Sequence, residues 1–179
     1  MSLRPAISLL SSLVLLALAS CGARVSQCGQ LIDTISEGQS FGAEYEQSIN
    51  TALAQFSSAQ NLTDIKAAAS DYTVAVQKAS DQSSALSQDL ASLEFEDEQL
   101  TEYQQRYTAV ATQWSTALTT AQEAMQVLAT VESEEAFRAE FGRFQAKTES
   151  AYSAIQAISA EESQLVEGIN AYCESTAAQ

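Results

Sequence analysis

The sequence predicts an all-α fold, an antiparallel up-down-up-down four-helix bundle with long helices, and three features carry that expectation. Apolar and small residues recur every three or four positions in four separate stretches, the period that places one stripe along one face of a helix. The phase is interrupted at short junctions that hold helix-starting residues. Proline, the strongest helix breaker, occurs once in 179 residues, at Pro5.

The first stripe reads Cys28, Leu31, Ile35, Gly38, Gly42, Tyr45, Ile49, Ala52 and Phe56. The second reads Ile65, Ala69, Tyr72, Val76, Ala79, Ser83, Leu86, Leu90 and Leu93. The third is Leu100, Tyr103, Tyr107, Val110, Trp114, Ala117, Ala121, Ala124, Leu128 and Val131. The fourth runs through Phe137, Phe141, Phe144, Thr148, Ala151, Ile155, Ile158, Glu162, Leu165, Ile169 and Tyr172. Stripes of this kind turn toward a shared core, as in coiled-coil-like bundles, and their extent predicts helices of roughly 28 to 38 residues.

The junctions follow from local chemistry. Between Phe56 and Ile65, Asn61 and Thr63 are suited to cap a helix start. The Asn61-Leu62-Thr63 triplet also matches a glycosylation acceptor, but reads here as a cap. Between Val131 and Phe137, Ser133 is the cap, and Glu134 and Glu135 occupy the first turn, where the helix dipole favours negative charge. At the middle junction two readings compete. Leu93 and Leu100 stay in register through Asp97, and a stripe of Leu100, Tyr107, Ala111, Trp114, Leu118 and Met125 would carry one helix straight through. A turn is favoured because Glu94, Glu96, Asp97 and Glu98 crowd like charges that destabilise a helix middle and suit a helix start. The same cluster lacks the glycine and ligand spacing of a calcium loop, so it reads as a solvated helix start.

Upstream of the first stripe lie Arg4, an apolar run over residues 6–19, and the string Leu18-Ala19-Ser20-Cys21, which resembles the lipobox of bacterial lipoprotein precursors. The run is too short to span a bilayer. The resemblance implies cleavage before Cys21, thioether lipidation of Cys21 and acylation of the new terminus. The chain then divides into a signal peptide over 1–20 and a single helical domain over 21–179. An ordinary signal peptide, or an anchor that stays uncut, is the competing reading. Two or more acyl chains give stable membrane attachment where one gives only marginal binding. Gly22 stands where an aspartate would retain many lipoproteins at the inner membrane. The resemblance therefore implies a bacterial envelope protein facing the periplasm, with the outer membrane favoured over the inner.

Without Arg4, 7 basic side chains face 23 acidic ones and the formal charge is −16. Such a surface repels nucleic acid and anionic headgroups, so the acyl chains rather than the protein surface would hold the molecule at a membrane. Cys28 begins the first stripe and Cys173 ends the fourth. In an up-down bundle of four helices these positions share one end, whereas three helices would separate them. An oxidising compartment then favours a disulfide, the alternative being two small buried hydrophobic side chains. Ser26-Gln27-Cys28 and Leu31-Ile32 near one end, with Ile169-Asn170-Ala171-Tyr172-Cys173 near the other, resemble small helical lipoproteins of cyanobacterial envelopes. That likeness implies the same compartment and supports the terminal disulfide, but carries no active site.

Histidine is absent from the whole chain. This removes the Ser-His-Asp triad, the Cys-His pair, histidine-bearing zinc sites and the Glu-x-x-His motif of di-iron bundles. No C-x-x-C spacing occurs, which argues against thiol redox catalysis. No enzyme activity, cofactor or metal is expected. One interior level invites a ligand reading: with the first and third helices parallel, Gly38 and Gly42 lie near Tyr107 and Trp114, and Ala79 and Ser83 are close by. Aromatic rings filling the space beside small residues is the simpler expectation. A cavity walled by Tyr107 and Trp114, suited to a small apolar or aromatic ligand, is the alternative. Glu162 interrupts the fourth stripe and is taken as a boundary residue rather than a buried carboxylate. The leading functional expectation is a non-catalytic interaction, scaffold or assembly module that binds another envelope protein through its acidic surface. Its rival is a carrier or sensor of a small molecule or metal that uses the interior. A pocket of a few hundred Å³ reaching Tyr107 or Trp114 would favour the rival.

Overall fold

The computed structural model describes the backbone of residues 11–177, and the side chains of these except 11–22, 39–41, 43 and 176–177. The described residues are all-helical, in the order α1 (Ser11–Ser58), α2 (Leu62–Ser92), α3 (Glu98–Thr130) and α4 (Glu134–Ala177). Residues 1–10 of the 1–20 segment, the side chains of the rest of it and the side chain of Cys21 lie outside the described set; the backbone of α1 passes through Leu18, Ala19, Ser20 and Cys21.

Each helix after the first starts where a side chain satisfies free amides. Asn61 accepts from the Asp64 amide at 3.0 Å, and the Asp64 carboxylate accepts from the Gln60 amide at 3.0 Å, a reciprocal cap. Asp97 accepts from the Leu100 amide at 3.0 Å and begins α3. The Ser133 hydroxyl accepts from the Ala136 amide at 3.1 Å and begins α4. The turn between Leu93 and Asp97 is therefore real, and the alternative of one helix through it does not hold. Its exit is also satisfied: the buried Gln104 amide donates to the carbonyls of Leu90 and Leu93 at 2.7 and 2.8 Å, covering acceptors that a helix end leaves open. The expected helix length needs correction for α4, which spans 44 residues; α1 spans 48, but its part from Cys21 onward keeps to the expected range. Stripes mark only the part of a helix that is buried, and no breaker stops either helix at its stripe's end.

Between consecutive helices, earlier residues of one lie against later residues of the next. Glu44 of α1 pairs with Lys78 of α2 at 2.5 Å, while the earlier Gly38 lies against the later Leu86. Between α2 and α3, Ser80 and Ser84 meet Ser115, Ser83 donates to the Ala111 carbonyl at 3.0 Å, and Ser87 meets Thr112. Small side chains bring this pair close, and it forms the broadest interface. Lys147 of α4 pairs with Glu123 of α3 at 2.5 Å, and further along the rings of Tyr103 and Tyr172 lie 5.9 Å apart. The contact of α1 with α4 is much narrower. It includes Cys28 and Cys173, whose sulfurs are at disulfide distance with Cα atoms 5.7 Å apart.

The core forms three clusters along the helices. The largest lies at the cysteine end and includes Leu31, Leu90, Leu100, Tyr107, Leu165 and Ile169. Val76, Leu118, Ala121 and Ala151 form the middle one. Ala69, Met125 and Leu128 form the third, flanked by Phe56, Phe137 and Phe144. Helix α3 buries both competing stripes, with Tyr107, Val110, Ala111, Leu118 and Met125 all covered, because α2 and α4 flank it on either side. The fourth stripe drifts off the core at its start, where Phe141 is 39% exposed.

Candidate functional site

Between the cysteine-end cluster and the middle cluster the core is interrupted by a cavity of about 530 Å³. Every helix contributes to its wall: Gly38, Gly42 and Tyr45 from α1, Ala79, Ser83 and Leu86 from α2, Tyr107, Ala111, Trp114 and Leu118 from α3, and Glu162 and Val166 from α4. The four candidate residues Gly38, Gly42, Tyr107 and Trp114 thus surround one space. This is the arrangement that the cavity alternative describes.

The cause lies in Glu162. Its Oε1 accepts from the Tyr107 hydroxyl at 2.5 Å and its Oε2 from the Trp114 indole N–H at 2.9 Å. The Tyr107 and Trp114 rings of α3 are thereby held toward α4. They do not collapse into the volume that Gly38, Gly42, Ala79 and Ser83 leave open on the other side. The reading of Glu162 as a boundary residue is corrected: the residue is half-buried, lines the cavity and orients two aromatic walls. Burial first, then the hydrogen bond and charge of Glu162, push the Tyr107 phenol well above its usual range, so it remains a protonated donor. Tyr45, opposite, is also raised, by burial first and then by its neighbour Tyr72.

The two glycines act differently. A Cβ on Gly38 would run into the terminal methyls of Leu86, so Gly38 permits the close approach of α1 to α2. A Cβ on Gly42 would meet nothing within 4 Å. Gly42 and Ser163 are both exposed and both line the cavity, which opens to solvent along the narrow contact of α1 with α4.

A second polar centre sits at the cysteine end. The Asp97 side chain is 9% exposed, and it pairs with Arg24 at 2.8 Å while both its oxygens accept from the Tyr172 hydroxyl at 2.9 Å. One carboxylate thus joins α1, α3 and α4. Burial alone would raise the Asp97 pKa, but the Leu100 amide, the Tyr172 hydroxyl and Arg24 outweigh it and hold the carboxyl below its ordinary value.

Sequence reasoning found the aromatic and glycine walls, singled out Glu162 but favoured a boundary role for it, and missed Gln104 and the Arg24, Asp97 and Tyr172 set. For Glu162 a signal existed, since it is the one charged residue in the fourth stripe. Among the described residues no group of three carboxylate, thiol or imidazole side chains is placed to hold a metal ion. No helix among them is long and apolar enough to cross a membrane. No protein-family model, no curated protein and no solved structure matches the chain.

Proposed function

We propose that this protein is a lipid-anchored, four-helix antiparallel bundle of the bacterial envelope that carries or senses a small molecule in its interior, without turnover. The observation that carries this reading is the cavity of about 530 Å³ bounded by Tyr107, Trp114 and Glu162. Its volume falls within the span of about 300–1,000 Å³ common to small-molecule sites, and its wall is mainly apolar with a few convergent polar groups. A surface-binding scaffold has no use for such a gap in its core, so the interior reading is preferred over docking through acidic turns. The up-down-up-down arrangement is supported by the opposed contacts of consecutive helices and by the meeting of α1 with α4 at the cysteine pair. Anchoring at Cys21, seven residues before Cys28 in the sequence, would set the cysteine end nearest the membrane.

Trp114 is the only tryptophan in the chain and borders the cavity, so its emission reports on occupancy. Titrating the purified 21–179 chain with 4-phenylbutan-1-ol should change that emission saturably, with one site per chain. Ala79→Phe should fill the space, remove the response and leave the melting temperature unchanged or higher. In a packed interior the same substitution would cost about 1–3 kcal/mol. A non-saturable response, or one equal in Ala79→Phe, would count against the proposal.

A further inference from the structure

We infer that the ligand of this cavity is an organic cation, an amine or ammonium group seated against Glu162 with an apolar body alongside Tyr107 and Trp114. This rests on the interior-binding reading above and names the chemistry that the site selects. Glu162 is the one charged residue among the described residues of the wall. None of the ion pairs formed by described residues involves it; Arg24, Lys78, Arg138, Arg143 and Lys147 are each paired with other carboxylates.

A carboxylate offers about four lone-pair sites, and neutral donors from Tyr107 and Trp114 use one site on each oxygen. The two donors fix the carboxylate's orientation without neutralising it. A neutral ligand closing the cavity would strip water from that charge and return no counter-charge, which is costly. An anionic ligand would add repulsion. A ligand cation supplies both the missing charge and donors for the remaining lone pairs, making the stronger, charge-assisted class of hydrogen bond. Aromatic side chains on the wall, Tyr45, Tyr107 and Trp114, favour a cation further through their ring quadrupoles. The chain's formal charge of −15 enriches cations around the mouth. A metal ion is a poorer fit, because calcium takes six to eight oxygen ligands and the wall brings a single carboxylate.

The test uses three probes of one shape, 4-phenylbutylamine, 4-phenylbutan-1-ol and 4-phenylbutyrate, titrated separately into the 21–179 chain at physiological salt with Trp114 emission as readout. The amine should bind at least about tenfold more tightly than the alcohol, in line with the strength of hydrogen bonds to charged groups, and the acid more weakly than the alcohol. In Glu162→Gln the amine's advantage should vanish while the alcohol's affinity stays within about twofold, the alcohol serving as the check that the cavity is intact. An amine no tighter than the alcohol overturns the inference and leaves interior binding standing. An advantage that survives in folded Glu162→Gln overturns the role given to that carboxylate. Silence from all three probes overturns the interior-binding reading itself. Should Glu162→Gln fail to fold, the ranking of the three probes on the unaltered chain decides the ligand class alone.

Discussion

Asp97 caps α3 while accepting the Tyr172 hydroxyl from α4 and the Arg24 guanidinium from α1. Asp97→Ala should therefore destabilise the fold by about 2–3 kcal/mol, combining a lost cap with lost hydrogen bonds to a charged acceptor. Asp97→Asn keeps the cap and should cost about 1 kcal/mol or less, since Arg24 is partly exposed and its attraction is screened. Urea unfolding of the three chains at neutral pH tests both values. Because the folded pKa of Asp97 is lowered, its stabilising contribution is full above the unfolded value near pH ~4 and is lost as pH falls through the lower folded value. The gap between the native chain and Asp97→Asn should narrow over that window. Repeating the unfolding at acid pH checks the sign, and a gap that widens would contradict it. Caps such as Asn61 and Ser133 were legible in the sequence because donor and acceptor lie three residues apart. Asp97 and Tyr172 are 75 residues apart, and Glu162 is 48 and 55 residues from its two donors. No local pattern carries pairings at such separations.

Along the helices, period and junctions were legible because each depends on neighbours within a turn or two. What period could not convey was how much of a helix is covered. Two stripes on α3 looked like competing readings, yet both are buried because two helices flank it. Nor could period distinguish aromatic rings filling a gap from rings held away from it by Glu162, which is why the cavity was the lesser expectation. The glycines of α1 give a contrast at this scale. Gly42→Ala should stabilise α1 by about 0.5–1 kcal/mol, since a helical glycine costs that much relative to alanine and the added methyl meets open space. Gly38→Ala gains the same propensity but must displace the Leu86 methyls, and its net gain should be smaller. Thermal melts of the two variants side by side check the order. A larger gain at Gly38 would mean that α1 and α2 approach less closely than described.

At the scale of the whole molecule, the cysteine pair joins positions 145 residues apart, and chain-entropy reasoning puts an upper bound of about 5 kcal/mol on what such a link contributes. Reduction should lower the melting temperature while the helical circular dichroism persists below it, because the cysteines belong to one core cluster and the other two hold the helices together without them. Loss of helicity on reduction at room temperature would contradict that expectation. Cys21→Ser should yield an unlipidated chain recovered away from membranes, and intact mass of the membrane-bound protein checks the modification directly. Lipidation at Cys21, as proposed, would put the cysteine end near the bilayer and the cavity farther out, with Gly38 about 25 Å along α1 from Cys21 at helical rise. Whether the interior space holds a small molecule is read by native mass spectrometry of the full-length protein purified from the cells that make it. A non-covalent organic adduct, released on denaturation and missing from Ala79→Phe, is expected; a protein with no such added mass, under conditions where a bound amine probe survives, would contradict interior binding.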